Sequence, residues 1–180
     1  MADELADNYA NLTLNSEETD VVDVGDIDHP EQDSRVSLTL VGKLYTDRGI
    51  NFDAFKRTMN HAWALKGKVI IRKLESNLFA FQFSNSRDME KVMAGRPWCF
   101  EQALLLLNSI NGNEQPSEVQ LTHSPFWVRL ENLPFNSRSE NHVKTIASNI
   151  RDVLEIEDDD SIICKSRRVR VLLDVRKPLR

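Results

Sequence analysis

The sequence predicts an α+β protein of two units, the first complete and the second partial, preceded by an acidic arm. Three observations carry this. Residues 1–34 hold eleven acidic residues and no Lys or Arg. From Arg35 onward, apolar stretches of period two alternate with stretches of helical spacing. A polar run at 111–124, with Asn111-Gly112-Asn113 and Pro116, interrupts that texture before it resumes at Pro125. The expected boundaries are therefore 1–34, 35–110, 111–124 and 125–180.

The arm comes first. Its valines and Ile27 are broken up by Asp23, Asp26 and Asp28. Such a segment buries too little apolar surface to offset its ordering entropy, so disorder is expected. Val36, Leu38 and Leu40 then alternate with Ser37, Thr39 and Val41, which is strand period. Asn51 is placed to cap a helix carrying Phe52, Phe55, Met59, Ala62 and Trp63 on one face, and Gly67 to end it. Val69–Ile71 and Leu78–Phe83 form a hairpin pattern around Glu75-Ser76-Asn77. Ser86 is expected to cap a short helix with Met89, Val92 and Met93 inward, stopped at Gly95-Arg96-Pro97. Ala103–Leu107 is an apolar run of strand length. Strand, helix, strand, strand, helix, strand is the ferredoxin-like βαββαβ order, shared by RNA-recognition modules. A sheet with both helices on one face buries these stripes most simply.

In the second unit, Phe126, Val128 and Leu130 alternate with Trp127, Arg129 and Glu131. Ser137-Arg138-Ser139-Glu140 is a capping-box pattern for a helix bearing Val143, Ile146, Ala147 and Ile150. Strands are expected near Val153–Ile156 and Val169–Val175. The sequence stops at Arg180, before a final helix and strand, so this unit reads as an incomplete relative of the first.

Net charge sharpens the functional reading. The whole chain of 180 residues carries −5, yet residues 35–180 hold 23 basic and 17 acidic residues. The body is therefore mildly basic, which permits a nucleic-acid partner. No apolar run reaches membrane-span length, so no membrane partner is expected. Cys99 and Cys164 form no Cys-x-x-Cys pair, which fits a reducing intracellular compartment. No Gly-x-Ser-x-Gly, P-loop or His-Glu-x-x-His pattern occurs, and the four histidines are scattered. Neither an enzyme nor a metal or other cofactor is expected.

Several uncommon residues recur here in one order. They are Leu40-Val41-Gly42-Lys43-Leu44, Asp47-Arg48, Asn51-Phe52, Phe55-Lys56, Met59, Trp63, Phe79-Ala80-Phe81-Gln82-Phe83 and Gly95-Arg96-Pro97-Trp98. Pro125-Phe126-Trp127-Val128, Leu133-Pro134-Phe135 and Val171–Leu179 continue the series. In these residues, about 35–180, the sequence resembles a plant family associated with retroelements, domain of unknown function forty-two eighty-three. The resemblance implies a gag-like, nucleic-acid-binding module. Longer members continue into a zinc knuckle after the segment matching Arg176-Lys177-Pro178-Leu179. No such knuckle is present here, so no zinc site carries over.

Candidate contacts to RNA or single-stranded DNA are Lys43, Arg48, Lys56, Arg57, Lys66, Lys68, Arg72 and Lys73 in the first unit. In the second they are Trp127, Arg129, Lys165, Arg167, Arg168 and Arg170. Lys and Arg bind phosphate through charge and counterion release. The bland reading, a solvated charged face, is favoured for the first group. Trp127 beside Arg129 suits base stacking, although packing of Trp127 against the first unit is favoured over it. Glu155–Asp160 lack calcium-loop spacing and read as a solvated turn, their charges complementing the basic strand that follows. Phe79, Phe81 and Phe83 invite comparison with an aromatic stacking motif. Exposing them would turn Gln82 into the core, so burial of the three rings is expected. Self-association through unpaired strand edges is the alternative to nucleic-acid binding. The arm is also expected to compete with nucleic acid for the basic body. Deleting residues 1–34 should then tighten RNA binding in a filter or anisotropy assay, and unchanged affinity would refute this.

Overall fold

Phe79, Phe81 and Phe83 turn inward together, and the first layer of the molecule is built on that choice. A computed structural model of the protein describes residues 35–112, 114–157 and 166–178. The readings made on the acidic arm, on Asp158–Asp160, on Cys164 and on Lys165 lie outside the described residues. Both sheets belong to one compact unit, residues 31–180.

The fold is α+β with antiparallel sheets. The first part runs β1 (Thr39–Leu44), α1 (Phe52–Trp63), β2 (Val69–Glu75), β3 (Leu78–Phe83), α2 (Ser86–Ala94), β4 (Trp98–Phe100) and β5 (Ala103–Ser109). Its strands form a five-stranded sheet in the order β2-β3-β1-β5-β4. The second part runs β6 (His123–Glu131), a 3-10 turn at Phe135–Ser137, α3 (Glu140–Ser148), β7 (Asp152–Ile156) and β8 (Ser166–Asp174). It forms a separate sheet in the order β6-β8-β7. In both parts the first strand pairs with the third and the third with the second, with a helix after the first. The second part therefore repeats β1-α1-β2-β3.

Strand alternation decides what each sheet buries. Leu40 and Leu44, the three β3 rings, Ile71, Leu105 and Leu107 meet Phe55, Met59, Trp63 and Val92 from the helices. Phe55 packs on Phe79 at 4.6 Å and edge-on to Phe100 at 5.3 Å, and Trp63 packs edge-on to Phe81 at 5.3 Å. Gly42 lies in this layer because a Cβ there would sit 2.6 Å from Leu107 and 2.7 Å from Phe81. The smaller core of the second sheet joins Val169, Val171 and Leu173 to Val143 and Ala147 of α3.

Several local expectations shift by a residue or two. Asn51 caps α1 as expected, accepting from the Ala54 N–H at 3.0 Å. The helix ends at Ala64 in the left-handed region, ahead of Gly67, and Ala62 is exposed. Asn85, not Ser86, caps α2. Ser139, not Ser137, occupies the α3 cap, and its hydroxyl pairs with His142 Nδ1 at 2.6 Å instead of a helix N–H. Ile146 stays exposed. β1 begins at Thr39 rather than near Val36, and the short strand β4 has no alternating signature of its own. Asn77, in the left-handed region of the β2–β3 turn, is buried and donates to Thr46 O and Arg48 O at 2.6 and 3.2 Å. It thereby holds the β1–α1 loop against the hairpin.

Asp88 does the corresponding work at the other end. Its carboxylate accepts from the Gly67 N–H at 2.7 Å, the Lys66 N–H at 3.2 Å and Asn85 Nδ2 at 2.9 Å. Gly67 permits that approach, since a Cβ there would collide with Ser84 Oγ. The Asn85 bond first, and the backbone bonds to Gly67 and Lys66 with it, hold the Asp88 carboxyl below its ordinary value. A depressed carboxyl stabilises the fold above its unfolded value of about 3.8 and loses that contribution as pH falls through the folded value. Asp88→Asn should lower Tm by several degrees at pH 7, and the gap to the native chain should narrow below about pH 4. Thermal melts from pH 7 to pH 2 check this, and a gap independent of pH would contradict it.

Candidate nucleic-acid interface

The basic residues of the first part do not gather. Lys43 and Arg72 stand on the sheet face away from the helices. Lys56 and Arg57 lie on the exposed side of α1, in the opposite layer. Lys66 and Lys68 are exposed in the α1–β2 turn, Arg48 in the β1–α1 loop. Lys73 lies opposite Phe79, at the β2 edge of the helix-covered face.

The outer face of the five-stranded sheet is also not an aromatic platform. Alternation presents Val41 and Lys43 of β1, and Leu78, Ala80 and Gln82 of β3. Segment 115–122 then straps part of that face. Val119 is 6% exposed and packs on Val41 and Leu78, with Ile110 and Leu121 beside it. Asn108 Nδ2 donates to Gln120 O at 3.3 Å. The run expected to be a polar linker therefore carries an apolar anchor. A cleft of about 400 Å³ remains beside it, lined by Lys43, Glu75, Ser76, Glu118 and Arg176 among others.

The second sheet does bring its residues together. Trp127 and Arg129 share the face of β6 opposite Phe126 and Val128, and they pair in register with Arg170 and Arg168 of β8. The Arg168 guanidinium lies 5.0 Å from the Trp127 ring centroid and that of Arg170 lies 6.0 Å away. Trp127 remains 37% exposed and belongs to no apolar cluster. Within its own sheet Trp127 makes cation–π contacts with both arginines. Glu157 pairs with Arg168 at 3.1 Å and Glu155 with Arg170 at 3.5 Å, which is the expected charge complementarity between the strands. Arg167 points to the α3 side, opposite Leu130, and donates to Glu157 O at 3.2 Å. It stands apart from this cluster.

Arg170 is the connection to the first part. Its Nη2 donates to Ala94 O at 2.5 Å and Arg96 O at 3.0 Å. Ala94 is the last residue of α2, where a cation meets the negative end of the helix dipole. Arg96 in turn donates to Met93 O and Leu107 O. Burial, reinforced by the Arg170 charge, draws the Arg96 guanidinium below its ordinary value. The pairs Trp127/Arg129 and Arg168/Arg170, each two apart, announce a shared face in the sequence. The carbonyls of Ala94 and Arg96 do not, because their role depends on a tertiary contact 74 residues or more distant in the chain.

Residues 32–118 match the family described as Domain of unknown function (DUF4283). The DUF4283 segment spans the five-stranded sheet, both its helices and the first part of the strap, and it ends before β6. The resemblance read over residues 35–180 is thus matched for the first part alone. No curated protein matches the chain. No helix among the described residues is long and apolar enough to cross a membrane.

Removing Arg170 leaves two carbonyls and a carboxylate without their shared donor. Arg170→Ala should cost about 2–3 kcal/mol, from the loss of charge-assisted bonds. Arg170→Lys should recover less than half, because an ammonium cannot reproduce the planar fork. Urea midpoints measure both, and an unchanged midpoint in Arg170→Ala would contradict the bridge.

Proposed function

We propose that this protein is a non-catalytic module that binds RNA or single-stranded DNA, in a retroelement-derived protein of the gag-like kind found in plants. The observation that carries the reading is the exposed Trp127 ring set among Arg129, Arg168 and Arg170 on one face of the second sheet. An aromatic face among guanidinium groups offers base stacking and phosphate contact at once, without base-specific hydrogen bonds. The strand order of the first part supports the same reading. We read β1-α1-β2-β3-α2-β5 as the ferredoxin-like order, with β4 added at the edge beside β5. In an RNA-recognition module of that order, the outer sheet face stacks bases. Here that face carries no ring on β1 or β3 and is partly strapped, so the binding surface shifts to the second sheet. Lys43, Arg72 and the basic residues of α1 then supply diffuse attraction rather than a defined contact.

The full chain should bind labelled single-stranded RNA with a steep salt dependence. Trp127→Ala should weaken binding about 5- to 100-fold, since stacking contributes about 1–3 kcal/mol per base. Arg129→Gln should shrink the slope of log affinity against log salt by about 0.7 while leaving the fold intact. Fluorescence anisotropy over a salt series reads both effects. Absence of binding at low salt would overturn the proposal.

A further inference from the structure

β6 stands in the second sheet where β1 stands in the first, but its surroundings differ. β1 lies between β3 and β5, whereas β6 has β8 on one side and, among the described residues, no strand on the other. The apolar residues follow this difference. Leu40 and Leu44 of β1 are fully buried, while Phe126, Val128 and Leu130 of β6 are only partly buried.

The outer edge of β6 can be assigned residue by residue. Thr122 O accepts from the Val175 N–H at 3.0 Å, one step beyond the strand pair in the same register. Hydrogen bonding alternates along an antiparallel pair, so residues 124, 126, 128 and 130 bond towards β8. The main-chain groups of Pro125, Trp127, Arg129 and Glu131 therefore point to the other edge. Proline, having no N–H, sits at one of these outward positions, as an edge strand allows. Ser124 and Pro125 are buried, so the accessible stretch begins after them.

We propose that two copies of this chain associate by antiparallel pairing of their β6 strands. With Val128 opposite Val128 of the second copy, Phe126 faces Leu130 and Trp127 faces Arg129. Apolar residues then meet on the helix side, and on the outer side a tryptophan meets an arginine, the contact Trp127 already makes with Arg168 and Arg170. The neighbouring registers are worse. Shifting by two residues one way opposes Arg129 to Arg129. Shifting the other way opposes Arg129 to buried Pro125 and leaves only residues 126–128 to pair. In the chosen register residues 126–130 pair, and Pro125 meets only Glu131 at the end. The edge thus selects a single two-fold register, and the opposite strand direction matches that of β5 on β1. Pairing through main-chain groups leaves the outer side chains exposed, so it joins two Trp–Arg faces into one surface. It stands or falls independently of nucleic-acid binding.

Sedimentation of the full chain without nucleic acid tests the proposal. A monomer–dimer equilibrium is expected between about 10 μM and 1 mM, as for a small interface. Arg129→Pro removes an outward N–H and no bond to β8, and it should weaken association about tenfold or more. Amide exchange of the native chain gives a second reading that needs no variant. Protection of Trp127 and Arg129 should rise with protein concentration, while that of Val128 and Leu130 should not. A chain monomeric throughout the range, an equally strong dimer of well-folded Arg129→Pro, or concentration-independent exchange at both the Trp127 and Arg129 amides would each overturn it.

Discussion

Every strand here spends one of its two faces on a core, and that constraint governs the rest of the molecule. Turning Phe79, Phe81 and Phe83 towards α1 and α2 fixes the face that β1, β2 and β5 must bury with them. It fixes the outer face of the sheet just as firmly. That face receives Val41, Leu78, Ala80 and Gln82, which have no stacking surface to offer, and Val119 settles on its apolar part. In the second sheet the same constraint works to a different end. Phe126, Val128, Val169 and Val171 go to α3, so Trp127, Arg129, Arg168 and Arg170 are left together outside. The proposed interface is the complement of a core, and a one-residue slip of β6 would exchange the two.

Arg170 gives the outer face a second duty. One guanidinium contacts the Trp127 ring, the Glu155 carboxylate and two carbonyls at the end of α2. Its side chain is 14% exposed, compared with 44% for Arg168 and 62% for Arg129. The three arginines therefore divide the work. Arg170 is committed to holding the two sheets together, and a phosphate cannot claim it without breaking that bridge. Arg129 and Arg168 are accessible, and their carboxylate partners are 63% and 40% exposed, so those pairs contribute little and exchange readily. At the proposed interface, Trp127 and the sheet docking share Arg170, which touches both.

Element type and order were legible in the sequence because they rest on local periodicity. The spacing of Phe55, Met59 and Trp63 admits only a helix face, and the alternation at Leu78–Phe83 only a half-buried strand. The inward turn of the three rings was legible too, since the alternative buries an amide. Boundaries were less so. Asn85 and Ser86 are both good caps, and the choice between them follows from the pairing of Asn85 with Asp88, which in turn grips a turn 21 residues earlier. The strap was misread for a related reason. Val119 and Leu121 stand among polar residues, and an isolated apolar pair shows no period. It anchors only because Val41 and Leu78 happen to wait on the outer face. At the candidate site, the shared face of Trp127 and the arginines was readable from i, i+2 spacing. The departure of Arg167 to the other side follows from the same spacing once the register is known.

The repeat of β1-α1-β2-β3 in β6-α3-β7-β8 shows what the first part gains from its remaining elements. In the first, β5 supplies Leu105 and Leu107 and α2 supplies Val92, and the residues of β1 between them lose all exposure. In the second, α3 alone covers a three-stranded sheet, and the buried residues of its apolar core come from the central strand β8 and two residues of α3. β6 retains partly exposed apolar side chains and an outward row of main-chain groups, a template on which another strand can pair. The second sheet is held in place by its docking through Arg170 rather than by a core of its own size. A surface kept in that condition is suited to acquiring a neighbour, and the chemistry along β6 is complementary to itself.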